Sequence, residues 1–190
     1  MPTSASSISS ALILCATSFS LGVLYSNWPY DFFTLWTAAP PESRYTASLD
    51  HYKAWYDCPM FVYHIHHTVI GLGLIGFFIK LYKPSESNKL FDGGSLFLYM
   101  VGVTIYLTNI RRGLASAVDG NWGDVDEHTG INVIAASQVM IVFVLLGVLG
   151  LQVGQWWAER EDAKLKKKFD DEEKKEKKDK KESKESKKTK

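Results

Sequence analysis

Three glycines spell a pattern that elsewhere cradles a pyrophosphate: Gly71, Gly73 and Gly76 read G-x-G-x-x-G. In a dinucleotide site the pattern follows a strand and opens a helix, so that backbone N–H groups meet the phosphates. Here it lies inside an apolar run from Met60 to Leu81, with no strand pattern before it. The element that would aim the chemistry is missing. In an apolar helix the same small residues instead let another backbone come close. Gly150 and Gly154, with Gly147 before them, make a second such face, and Ser18 and Gly22 a third. These faces suit packing between the chain's own helices or docking of a client's helix. Ser137, Gln138, Thr104 and Thr108 add weak polar contacts between helices.

His64, His66 and His67 are the other residues with chemistry to offer. Positions 64 and 67 share one helix face, and 66 points elsewhere. A metal site at that depth requires carboxylates or further imidazoles. None can be placed beside them, so interfacial hydrogen bonding is the expected role. Cys15 and Cys58 form neither a C-x-x-C nor a zinc spacing, and read as small hydrophobes. No catalytic, cofactor-binding or metal-binding set is expected, and no nucleic-acid partner.

The elements that carry these residues follow from hydropathy. A helix needs about 20 mostly apolar residues to cross about 30 Å of hydrocarbon. Four segments qualify, at about 8–26, 60–81, 93–110 and 131–157. The chain is therefore expected to be an all-α membrane protein: a four-helix membrane domain over 1–157 and a Lys/Glu-rich tail over 158–190. No charged residue sits in mid-span, which argues against a pump or channel. No broken helix signals a transporter. The first span lacks a basic leader before residue 44, so it is expected to stay in place rather than be cleaved.

Charge then sets the orientation. The tail carries 15 of the 22 Lys and Arg residues and 11 of the 21 Asp and Glu, so it is net +4 and the body −3. Lys80, Lys83 and Lys89 mark the connection between the second and third spans. Lys-rich segments favour the cytosol, which places both termini there; Arg111–Arg112 is the contrary signal. The tail is too poor in apolar residues to fold on a core, so disorder or a fluctuating charged helix is expected. It ends Lys187-Lys188-Thr189-Lys190, the spacing of a dilysine retrieval address of the endoplasmic reticulum, although Lys is so common in the tail that chance competes with this reading. Trp28, Tyr30, Trp36, Tyr52, Trp55, Tyr56 and Trp122 mark the opposite interface.

Several stretches together carry a resemblance: Leu21–Asp31 with Asn27-Trp28-Pro29-Tyr30-Asp31, Gly73–Gly76 leading to Lys80 and Lys83-Pro84, Thr108-Asn109, Asn121-Trp122-Gly123-Asp124-Val125, and Val133–Gln138 running on to Leu151-Gln152. In order and spacing they resemble the fungal packaging chaperones of the endoplasmic reticulum that serve amino-acid permeases, the Shr family. The resemblance implies a non-enzymatic, membrane-localised chaperone. It would help new permeases fold, keep their spans from aggregating, and support their loading into coat-protein (COPII) vesicles through the tail. The lipid bilayer, permeases and vesicle-coat components are the implied partners. Gly71, Gly73, Gly76, Gly147, Gly150, Gly154 and Gln138 are the expected docking positions. The Asn27–Asp31 and Asn121–Gly123 motifs are expected as outer-loop structure.

Three rivals remain. A tetraspanin- or claudin-like scaffold would want cysteine-rich loops, and a thiol or quinone oxidoreductase a reactive Cys pair or buried His and Asp. A cargo receptor would travel with its client.

Overall fold

Hydrocarbon offers no partner for backbone N–H and C=O groups, so each apolar run closes its hydrogen bonds internally as a helix. The computed structural model describes residues 4–82 and 89–186, and among these there is no strand. The elements are α1 (Ser4–Trp36), α2 (Glu42–Tyr56), α3 (Met60–Tyr82), α4 (Lys89–Ile105), a π-helical turn (Tyr106–Ile110), α5 (Arg111–Asp119) and α6 (Glu127–Ser186). Four regions are long and apolar enough to cross a membrane: Ser7–Trp36, Met60–Tyr82, Lys89–Asp119 and Glu127–Lys175.

The chain divides into two compact units, Met1–Gln152 and Val153–Lys190. In the first, α3 lies along α1 because two glycines remove the side chains between them. A Cβ on Gly76 would come within 2.9 Å of Ile13 and of the Ser9 carbonyl oxygen. One on Gly73 would strike Ala16 and the Tyr99 hydroxyl. The third span meets α6 in the same manner: Gly113 faces Ile134, and Leu98 covers Gly147. Ile13, Phe77, Tyr99, Ile110, Leu114, Ile134 and Val148 are fully or almost fully buried between the helices. The opposite face of α3 (Phe61, Ile65, Leu72, Ile75 and Phe78) is exposed, as suits residues that meet lipid.

Besides the fourth span, which runs on into the charged stretch, the first and third run longer than hydropathy predicts. α1 has 33 residues, about 50 Å at 1.5 Å each, so its last turns outrun the hydrocarbon. Residues 27–31 are therefore helix and not the outer loop expected from their Pro and aromatic content. Pro29 lies inside α1, and its ring is on the exposed side. The third span likewise continues through the π turn and α5 to Asp119. α2 lies across these extended ends, packed on both α1 and α5.

The turn into α6 shows why Asn121, Trp122 and Gly123 are there. α5 ends on Gly120 at φ 69°, a left-handed conformation that glycine adopts without strain, and its N–H bonds the Ser116 carbonyl. The Asn121 side chain accepts from the Gly123 N–H at 3.1 Å, and Gly123 is also at φ 69°. The Trp122 ring packs on Gly130. Asp126 then caps α6, accepting from the Thr129 N–H and hydroxyl at 3.1 and 2.7 Å. Those bonds hold its carboxyl below the usual range.

In the second unit the charged stretch is helical to Ser186, the second of the two forms the sequence allowed. Opposite charges one turn apart support it, with Lys164 bonded to Glu161 at 2.6 Å and Lys177 to Glu173 at 2.5 Å. Lys187 and Lys188 lie outside the described residues, as do Lys83 and Pro84.

Candidate functional site

Helical spacing decides what the Asn27–Asp31 motif does. Residues 27 and 31 are four apart and share a face; both are buried, at 3% and 2% exposure. Trp28, Pro29 and the Tyr30 ring stand on the exposed side. The buried pair meets α2 and α6. Asn27 Nδ2 donates to Gln138 Oε1 at 2.6 Å, joining α1 to α6. With that amide oriented so, Asn27 Oδ1 is an acceptor, and His51 Nε2 lies 2.9 Å away as the donor. The Tyr52 hydroxyl donates to Asp31 Oδ1 at 2.5 Å, and Ser48 Oγ to the Tyr30 carbonyl at 3.1 Å. The His51 ring stacks on Tyr30 with centroids 3.9 Å apart.

Two positions seen separately in the sequence, the Asn27 motif and Gln138, thus form one buried polar layer roofed by α2. Burial lowers the His51 pKa, keeping the ring neutral. Burial, and then the neighbouring Asp31, push the Tyr52 hydroxyl well above its ordinary range. The layer extends toward the third span, where Asn109 Nδ2 donates to Ser137 Oγ at 3.0 Å from within the π turn. Tyr106, at the start of that turn, meets His67 Nε2 at 3.2 Å and stacks on His66 at 5.1 Å. His64 is exposed. Among the described residues no three His, Cys, Asp or Glu side chains converge as metal ligands.

A second polar knot lies at the far end of the bundle, and hydropathy gave no sign of it. Lys80 and Asp92 form an ion pair at 3.3 Å, with side chains 7% and 4% exposed. Lys80 Nζ also donates to Gln152 Oε1 at 2.6 Å, and Gln152 Nε2 to Ser95 Oγ at 3.0 Å. One knot thereby ties α3, α4 and α6. The available signal was two opposite charges flanking the short connection between adjacent spans.

The glycine positions divide. Gly73 and Gly76 are filled by α1, and Gly147 by Leu98, so these hold the molecule's own helices. Nothing lies within 4 Å of a Cβ built on Gly71 or Gly150, and Gly150 is exposed. Gly154 lies on α6 in the second unit, partly exposed. The arrangement is therefore a bundle braced at both ends by buried hydrogen bonds, with open small-residue positions on its outer surface.

The profile of the family described as ER membrane protein SH3, the SHR3 chaperones, matches residues 4–190. The secretory component protein psh3 of Schizosaccharomyces pombe is 28% identical over 142 residues, which cover 75% of this chain and 66% of the relative. The chain thus spans about two thirds of that relative's length. No solved structure matches. With four membrane-length helices, no strand among the described residues and a match over nearly its whole length, the chain belongs to the SHR3 chaperone family of endoplasmic-reticulum membrane proteins.

Proposed function

We propose that this protein is a non-enzymatic, membrane-localised chaperone that helps amino-acid permeases fold in the endoplasmic reticulum and supports their packaging into coat-protein vesicles. The observation that carries the reading is the family match over residues 4–190. Both termini face the cytosol, where the Lys-rich tail meets coat components, and α2 lies on the lumenal side. Early permease spans carry glycines and polar groups whose partners are not yet made. The open positions at Gly71 and Gly150 offer such a span a close backbone approach, each contact being worth about 0.6–2 kcal/mol. That is weak enough to be displaced when the permease's own later spans arrive.

The test is depletion of the protein, with imaging of tagged permeases beside an unrelated plasma-membrane protein. Selective retention and aggregation of the permeases is the expected result; normal traffic of both would overturn the reading. A finer test is Gly150→Ile. It should leave the chaperone folded, because the site is open, yet lower the fraction of permease exported. Full export would remove this face as the docking site.

A further inference from the structure

Arg111 is a cation in a membrane helix without a described counter-ion. Its guanidinium lies over the Tyr63 ring at 4.3 Å, and its buried Nη1 has no hydrogen-bond partner. No carboxylate pairs with it among the described residues. The Tyr63 ring is held in place by its own hydroxyl, which is shared between the carbonyls of Trp55 and Tyr56 at 2.9 and 3.0 Å. A ring face offsets only part of the cost of burying a guanidinium. The residue as a whole is only partly buried, so an anion can reach the guanidinium once the side chain turns this enclosed donor outward.

Next to it is a crevice. It opens in the middle of the first unit among α1, α2, α3, α4, the π turn and α6, and holds about 470 Å³ of empty space counted out to its mouth. Its walls are almost wholly apolar, including Trp55, Val103, Ile141 and Leu145. His66 and Tyr106 line its edge and lead toward Tyr63 and Arg111 through stacked rings. Along the third span the wall runs from Ile110, beside the arginine, back to Tyr99. Arg111 is twelve residues from Tyr99, about 18 Å at 1.5 Å per residue. That slightly exceeds half of the ~30 Å hydrocarbon thickness, which is the reach of one acyl chain from its headgroup.

We propose that the first unit holds a glycerophospholipid, its phosphate on Arg111 and one acyl chain in the crevice below. A client's carboxylate would satisfy the guanidinium and leave the crevice empty; a phospholipid accounts for both. The same placement gives Arg111 a use at the lumenal interface, where an excess of positive charge is otherwise unexpected.

Native mass spectrometry of the full chain, released from mild detergent, tests this. The wild-type protein should retain one phospholipid. Arg111→Gln should lower that occupancy about tenfold to a hundredfold, as expected for loss of charge-assisted hydrogen bonds, while Arg111→Lys keeps part of it. Val103→Phe, which fills the crevice without touching the arginine, should also expel the lipid. It keeps the test decisive if the arginine variant does not fold. Retention of lipid in folded Arg111→Gln overturns the proposal. So does lipid retention in Val103→Phe, or a wild-type protein that carries no lipid but is occupied by added inorganic phosphate. Cross-linking of position 111 to a permease, with no lipid adduct, overturns it in favour of a client carboxylate.

Discussion

The two ends of the membrane bundle are braced by the same device in different chemistry. At the α2 end a neutral amide pair, Asn27 and Gln138, joins α1 to α6 at 2.6 Å. At the far end a formal ion pair, Lys80 and Asp92, joins α3 to α4 and reaches α6 through Gln152. Gln138 and Gln152 are fourteen residues apart on one helix, about 21 Å, so both knots fall within the depth of a bilayer. Amides exchange partners without leaving a bare charge; a broken buried ion pair leaves one. The far end is therefore the fixed end of the bundle, and the α2 end the one whose polar groups can be reassigned at small cost.

The sharpest way to break that contrast is Asp92→Ala. It removes the carboxylate from beside the buried Lys80 ammonium and should cost about 3–5 kcal/mol of stability in denaturant titrations in micelles. Replacing both partners, Lys80→Met with Asp92→Leu, should recover most of it; a double variant as weak as the single one would show that the charges do more than offset each other. Next in size is Gly76→Val. It places methyl groups against Ile13 and the Ser9 carbonyl and should cost about 1–3 kcal/mol by overpacking, read from the same titration.

At the α2 end, a double-mutant cycle of Asn27→Ala and Gln138→Ala should give a coupling of about 0.6 kcal/mol, and below about 2 kcal/mol. A coupling as large as that of the ion pair would erase the distinction between the ends.

The smallest effect is in pH. The lowered His51 pKa means the folded protein binds this proton less readily than the unfolded chain, whose imidazole titrates near about 6.5. Its contribution is thus complete above that pH and is lost as pH falls through the folded value. Thermal midpoints should decline on acidification below about pH 6.5, and His51→Gln should flatten that decline.

Composition and length were enough to reveal the four spans, because hydropathy is a sum over residues and the bilayer responds to that sum. Their ends were less legible. Pro29 and the aromatic cluster around it read as loop punctuation, yet α1 continues to Trp36, because α2 covers its buried face and Pro29 lies on the exposed one. The glycine pattern at 71–76 was legible as small-residue packing. Which glycine served α1 and which stayed open depended on rotation about the helix axis, and spacing alone does not fix that relative to neighbours. The pairing of Lys80 with Asp92 was not legible for a related reason: each sits at a span's edge, where a charge normally reaches water, and only tertiary placement buries the two together.

The π turn has a consequence for how the third span tolerates change. Each α-helical residue advances the side chain by about 100°, and a π turn holds one residue beyond the α count. The helix on either side is thus out of phase by about that angle. Tyr99 faces Gly73 in one phase; Arg111 faces Tyr63 in the other. Removing a single residue from Tyr106–Ile110 would take out that surplus residue and close the segment into plain α-helix, so Arg111 would keep its place over its ring with the Tyr99 contacts unmoved, whereas inserting one more there would swing Arg111 off the ring by about 100°. Thiol labelling of a cysteine at the position of Arg112 should be unchanged by the deletion and altered by the insertion. The span works as two short screws of different setting cut on one rod, so point substitutions in one half leave the other in register; a one-residue deletion at the joint is absorbed there, whereas an insertion acts on the whole upper half at once.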